Sequence, residues 1–167
     1  MLTAPQIEIR SQSPYAFVHF IVTMNDMQRP ANEGFPLLFS TLARQSINPV
    51  GPAFYNYRRI DMAGTLDVEA GVAVERAGQD EDDVLFGTLP AGTFANATWH
   101  GHPDGLIGAT GQLIDWVNEQ GLAFDVNAKS DGNHFGCRLE IYHSDPVEDP
   151  DMNLWQTELA FKLRDRS

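Results

Sequence analysis

Apolar residues recur along this chain in two rhythms, every second position in some stretches and every third or fourth in others, and the switches between them mark out its elements. Tyr15 to Val22 is aromatic and β-branched and predicts a strand. After the turn-rich MNDMQRPANEG, Phe35, Leu38, Phe39 and Leu42 recur at helical spacing and predict a helix over 35–47. Pro36 suits its first turn, and Asn48-Pro49 supplies the stop. Strands are predicted at Ala53 to Arg59 and Leu66 to Glu75, with the turn Asp61-Met62-Ala63-Gly64 between them. A charged turn over 78–83 leads to Val84 to Leu89, then Pro90-Ala91-Gly92, then Phe94 to Trp99. A second helix is predicted over 104–120. Asp104 is its expected N-cap, Leu106, Ala109, Leu113 and Val117 its buried stripe, and Gly121 its C-terminal stop. Phe135 to His143 and Trp155 to Leu163 are the last predicted strands, joined by the polar SDPVEDPDMN.

The order strand, helix, strand, strand occurs twice. FYNYRRIDMAGTLDVEAGVAV in one half corresponds in pattern to LEIYHSDPVEDPDMNLWQTELAFKL in the other. The expected fold is therefore α+β, a tandem repeat of β-α-β-β units with halves at about 6–76 and 84–164 of a single domain over 1–167. Both helices would lie on one face of an antiparallel sheet, and the other face would carry a ligand cleft or be covered by loops or by a second copy in a homodimer. Strand side chains alternate between faces. Cys137, Leu139 and Ile141 thus share one face, expected to be core beneath the helices, and Arg138, Glu140 and Tyr142 share the other.

Composition narrows the function. With 23 acidic and 11 basic residues the chain carries a net charge of -12, a poor match to phosphate backbones, so no direct nucleic-acid binding is expected. No apolar run is long enough to span a bilayer, and the N-terminus lacks a signal-peptide pattern. The lone Cys137 cannot form an internal disulfide, which fits a reducing cytoplasm. His100-x-His102 with Asp104 lacks further converging ligands, the acidic loop at 145–151 lacks a calcium-loop glycine, and GATGQ lacks the P-loop lysine. No metal or cofactor is expected.

Six segments in order, GPAFYNY, LDVEAGVAV, GTLPAGTFANATWHGHPDGL, LIDWVNEQG, LEIYHSDP and WQTELAFKL, resemble the GyrI-like, or AraC-type effector-binding, family. The resemblance implies a pocket between the two halves that takes hydrophobic, often cationic, small molecules. It places the acid of the Glu-x-Tyr strand in that pocket, here Glu140 with Tyr142 beside it. Some members are fused to DNA-reading modules. Residues before Tyr15 and after Leu163 are too few for one, so a stand-alone version is expected.

A carboxylate among aromatic rings can pair with a cation or, with a raised pKa, act as acid or base. Tyr55, Tyr57, Trp99, Tyr142 and Trp155 are candidate walls, and Phe17 and His19, which share a face of the first strand, are candidates to join them. The plain alternative for each ring is core packing, and for Glu140 an exposed strand position. Three functions stay open: a binding domain anchored by Glu140; a hydrolase of strained cyclopropane-bearing toxins using Glu140 and Tyr142 or Tyr55; and an interaction protein that inhibits gyrase. The first two need the same acid in the same pocket, so the sequence does not separate them.

Overall fold

The computed structural model describes residues 1–61 and 63–165. Its strands are β1 (Gln6–Arg10), β2 (Ser13–Val22), β3 (Pro49–Ile60), β4 (Leu66–Val74), β5 (Val84–Leu89), β6 (Gly92–His100), β7 (Val126–Lys129), β8 (Gly132–Phe135), β9 (Arg138–Tyr142) and β10 (Gln156–Lys162). Its α-helices are α1 (Phe35–Arg44) and α2 (Leu106–Glu119). The strands make one antiparallel sheet in the order β1-β6-β10-β9-β3-β4-β2-β5, with the β7–β8 hairpin attached to β3. The α+β class and the antiparallel sheet are as expected. Met62 of the predicted turn lies outside the described residues.

From the central β9–β3 pair the order reads alike in both directions: β9-β10-β6-β1 one way and β3-β4-β2-β5 the other. The outer strands are exchanged. β1 precedes β2 in sequence but pairs with β6, and β5 precedes β6 but pairs with β2. Each end of the sheet thereby joins a strand from near the N-terminus to one from the middle of the chain.

Both helices pack on the same face. α1 lays Leu38 and Leu42 on Ala16, Val18, Val72 and Val84 of β2, β4 and β5. α2 lays Ala109, Leu113 and Val117, four residues apart, on Ala95, Ala97, Leu159 and Phe161 of β6 and β10. Burying each such leucine contributes roughly 1.5–3 kcal/mol. The helices sit over the two outer parts of the sheet, α1 over β2, β4 and β5 and α2 over β6 and β10. A further core on the opposite face gathers Tyr15, Phe54, Phe94, Cys137, Leu139 and Ile141.

Helix ends differ from expectation. Gln45 caps α1, so the helix stops at Arg44, and Ile47 reaches the core from the turn beyond it. Asp104 is not the N-cap of α2. It sits inside a 3-10 turn, Pro103–Gly105, and its N–H donates to Nδ1 of His102 at 3.0 Å. Gly121, with a φ of +70°, follows α2 in the left-handed conformation that glycine adopts without steric cost. A π-helical turn, Pro30–Gly34, leads into α1, and Gly34 lets it approach the sheet closely: a Cβ there would lie 2.8 Å from the Phe20 ring.

Candidate functional site

Residues paired across antiparallel strands share a face. Glu140 of β9 pairs with Leu159 of β10 on one side and with Tyr55 of β3 on the other. Leu159 belongs to the core under α2, and Ala70, the next partner of Tyr55, lies on the face that α1 covers. Arg138, Glu140 and Tyr142 therefore face the helices, and Cys137, Leu139 and Ile141 face away. This reverses the assignment drawn from the sequence. Alternation told which residues travel together; it did not tell which side the helices take.

Glu140 lies on the helix face of β9, between the strands that α1 covers and those that α2 covers. Tyr142 donates its hydroxyl to Oε1 at 2.6 Å, and Tyr57 donates to Oε2 at 3.3 Å. Burial pushes the Glu140 carboxyl above its ordinary value; the two tyrosine hydroxyls and the Arg138 charge pull it back only in part. Among the described residues no cation lies within salt-bridge distance of this carboxylate. Glu140, Tyr57 and Tyr142 are each half-buried.

Tyr55 has a different task. Its hydroxyl donates to Met27 O and accepts from Ala31 N–H, both at 2.8 Å, and so pins the π-helical turn to the sheet. Its ring meets Tyr142 edge-on at 5.3 Å and Tyr57 at 6.2 Å. Burial pushes the hydroxyls of Tyr55, Tyr57 and Tyr142 well up, so all three are neutral donors at ordinary pH. The chemistry of the arrangement is that of an acid ringed by aromatic edges and hydroxyls, open to a ligand that brings a donor or a positive charge.

A family model of the GyrI-like small molecule binding domain matches residues 3–164. The chain belongs to that family. Solved structures agree in fold. The crystal structure of the EcmrR C-terminal domain matches at 18% identity with a TM-score of 0.76, covering 98% of each chain. The EcmrR chain of an EcmrR–DNA complex matches at 19% and 0.78; the present chain is covered over 98% of its length but spans only 58% of that one. SAV2435 bound to tetraphenylphosphonium matches at 10% and 0.59, covering 97% of this chain and 94% of that one. No curated protein sequence matches.

The remaining candidates in this GyrI-like domain separate. Phe17 and His19 face away from Glu140. Phe17 stacks on Tyr15 at 4.8 Å, and His19 Nε2 contacts Asp67 at 2.9 Å. Trp99 shares the face of Glu140 but belongs to the core of α2. It packs on Gly105, where a Cβ would lie 2.3 Å from its ring, and donates its indole N–H to His102 O at 2.9 Å. Trp155 donates to Asp149 O at 2.6 Å and so anchors the acidic loop. Cys137 is buried on the far face, where burial pushes its thiol up to about 12, leaving it a poor nucleophile.

Sequence reasoning left out Arg138, which lies two residues before Glu140 on the same face. The signal was its shared parity on the strand. Two hollows lie elsewhere: one of about 450 Å³ at Gln45, Gln79, Asp80 and Glu81, and one of about 290 Å³ on the far face under Arg10, Phe94, Cys137 and Leu139. Both are poorer sites. The first is an all-polar surface dip, and the cation over the second, Arg10, is already held by Glu8 and Glu158.

No helix among the described residues is long and apolar enough to cross a membrane.

Proposed function

We propose that this GyrI-like domain binds a hydrophobic, positively charged small molecule in the gap between α1 and α2, with Glu140 as its anchor and Tyr142, Tyr57 and Tyr55 as its walls. The carrying observation is Glu140 itself, a half-buried residue whose carboxyl is held by neutral hydroxyls alone and raised in pKa by burial. A ligand cation supplies the charge that the protein withholds, in a setting where that charge counts for more than in water. Tetraphenylphosphonium, bound by the SAV2435 relative, is the natural first probe. The reading includes a duplicated unit over 6–76 and 84–164 and a cytoplasmic setting consistent with a single buried thiol.

The test is a thermal-shift titration with tetraphenylphosphonium and a panel of hydrophobic cations, on the wild type and on Glu140→Gln. A rise in melting temperature with ligand that the substitution removes supports the reading, because a ligand that binds the native state stabilises it by mass action. Equal rises in both proteins remove Glu140 as the anchor. Slow conversion of a bound compound, lost in Glu140→Gln, would shift the reading to hydrolysis.

A further inference from the structure

Three cations are largely enclosed by this fold, and two of them are paired. Arg59, 8% exposed, donates Nε–H to Asp67 Oδ2 at 2.5 Å and further donates to Thr65 and to Asp131 O. Lys162, 7% exposed, lies 3.2 Å from Asp125 and 3.6 Å from Asp165. Arg138 is the exception. Its guanidinium is stacked on the rings of Phe161 at 4.7 Å, Phe135 at 4.9 Å and Tyr57 at 5.9 Å. Its Nε–H is enclosed with no acceptor, and no carboxylate among the described residues lies within 4.0 Å of the group. Its terminal nitrogens hydrogen-bond to no described residue, and they are the end of the group left for a ligand to meet.

Aromatic faces compensate a desolvated guanidinium only in part, and an unpartnered buried charged donor is costly. Its position explains the arrangement. Arg138 and Glu140 stand two residues apart on one face of β9, so their Cα atoms are roughly 7 Å apart. They do not pair with each other. The Tyr57 ring stands between them, under the guanidinium at one edge and bonded to Glu140 through its hydroxyl at the other. The backbone N–H of Arg138 donates to Asn56 Oδ1 at 3.1 Å and fixes β9 against β3, which holds the spacing. An acid and a guanidinium thus stand apart on the helix face of β9, across one aromatic ring, and neither is in a salt bridge with a described residue.

We propose that the preferred ligand of the gap is a zwitterionic aromatic molecule, with its cationic group on Glu140 and a carboxylate on the terminal nitrogens of Arg138. Guanidinium and carboxylate match as two parallel N–H···O bonds, a geometry that an ester cannot reproduce. This rests on the binding reading above and narrows its ligand class.

Rhodamine B, a zwitterion with a free carboxylate, and its ethyl ester, a cation alike in every other part, are the probes. Fluorescence anisotropy titrations follow both dyes on the wild type, Arg138→Met and Glu140→Gln. Arg138→Met is expected to weaken rhodamine B at least tenfold and the ester by less than twofold, whereas Glu140→Gln weakens both. Equal loss of the two dyes in Arg138→Met, or loss of neither, overturns the zwitterion inference and leaves the Glu140 anchor standing. Should Arg138→Met fail to fold, Arg138→Lys decides in its place, with a selective loss of rhodamine B of about threefold to fivefold expected from replacing the fork by a point charge. Equal loss there overturns the inference too. Failure of the wild type to bind either dye overturns the site reading and this inference together.

Discussion

Glu140 and Glu158 lie on neighbouring strands, one register position apart and on opposite faces of the same sheet, and the fold treats them in opposite ways. Glu158 is surrounded by hydrogen-bonding partners, one of them a guanidinium. Arg10 donates to it at 2.6 Å, His143 lies 2.7 Å from its other oxygen, and Asn96 donates as well. Burial pushes this carboxyl up, but those partners outweigh it and hold it below the ordinary range. Glu140 has two neutral hydroxyls, and burial wins. Similar side chains on adjacent strands therefore differ in whether the protein has completed them. The far face uses its cations to lock β1, β6, β9 and β10 together. The helix face leaves an acid and a guanidinium apart, on the strand between the parts of the sheet that α1 and α2 cover. A charge completed within the protein is structure; one left incomplete where solvent reaches is a place for a ligand.

The largest effect that would break this comparison is on stability. Glu158→Gln removes the charge from three donors at once and should cost about 1–3 kcal/mol at pH 7, seen as a lower urea midpoint with an unchanged slope. The loss should shrink in acid. The folded carboxyl lies below its ordinary 4.5, so its contribution is present above that value and lost as pH falls through the folded one. If the variant were as stable as wild type at pH 7, the far-face cluster would be decoration.

Glu140→Gln should do the reverse, with a smaller effect. The folded chain holds the Glu140 proton more tightly than the unfolded chain, so it binds more protons at pH values above 4.5 up to the raised folded value. Stability falls as pH rises across that window. At pH 8 the variant should therefore melt about 2–4 °C above wild type, the shift that about 1 kcal/mol gives in a domain of this size. At pH 4 the two should coincide. Glu69 is also raised, chiefly by burial, and titrates the same way in both proteins, so the difference between them isolates Glu140. A variant less stable at pH 8 would mean that the carboxylate is completed after all.

How far could this contrast have been read from the sequence? Both helices, the central strands and the grouping of Arg138, Glu140 and Tyr142 follow from periodicity, because each set repeats at the spacing of its element. The side of the sheet did not. An apolar strand face asks for cover, and Cys137-Leu139-Ile141 looked like the face that helices cover. Its cover comes instead from large rings on other strands of the sheet, Tyr15 of β2, Phe54 of β3 and Phe94 of β6. A linear pattern cannot distinguish a face covered by helices from one closed by its own aromatics. The β7–β8 hairpin was legible but passed over: Asp131-Gly132 is a turn dipeptide, and Gly132 carries a φ of +125°. Edge strand β1 was missed because its polar partners, Glu8 and Arg10, gain meaning only when β6 and β10 bring Asn96 and Glu158 to them. Trp99 and Trp155 share a feature that a linear pattern does not carry: a ring with an N–H is held by whatever carbonyl it reaches, and both found a loop.

The smallest expected effects sharpen the comparison most, because they ask whether the two hydroxyls on Glu140 are equivalent. Geometry says they are not. At 2.6 Å Tyr142 makes a short bond to a carboxylate, whereas at 3.3 Å Tyr57 makes a long one. Both donors favour the ionised form, so removing either raises the Glu140 pKa further, and removing Tyr142 raises it more. Tyr142→Phe should cost about 1 kcal/mol at pH 8, and Tyr57→Phe a few tenths. A carboxyl carbon NMR titration reads the order directly, with midpoints rising from wild type through Tyr57→Phe to Tyr142→Phe. With a bound cation on Glu140 the order should persist but compress, since the ligand charge then sets the pKa more than either hydroxyl does. If Tyr57→Phe moved the midpoint more than Tyr142→Phe, Tyr57 would be the principal donor. The ring that separates Glu140 from Arg138 would then hold the acid as well as fence it off.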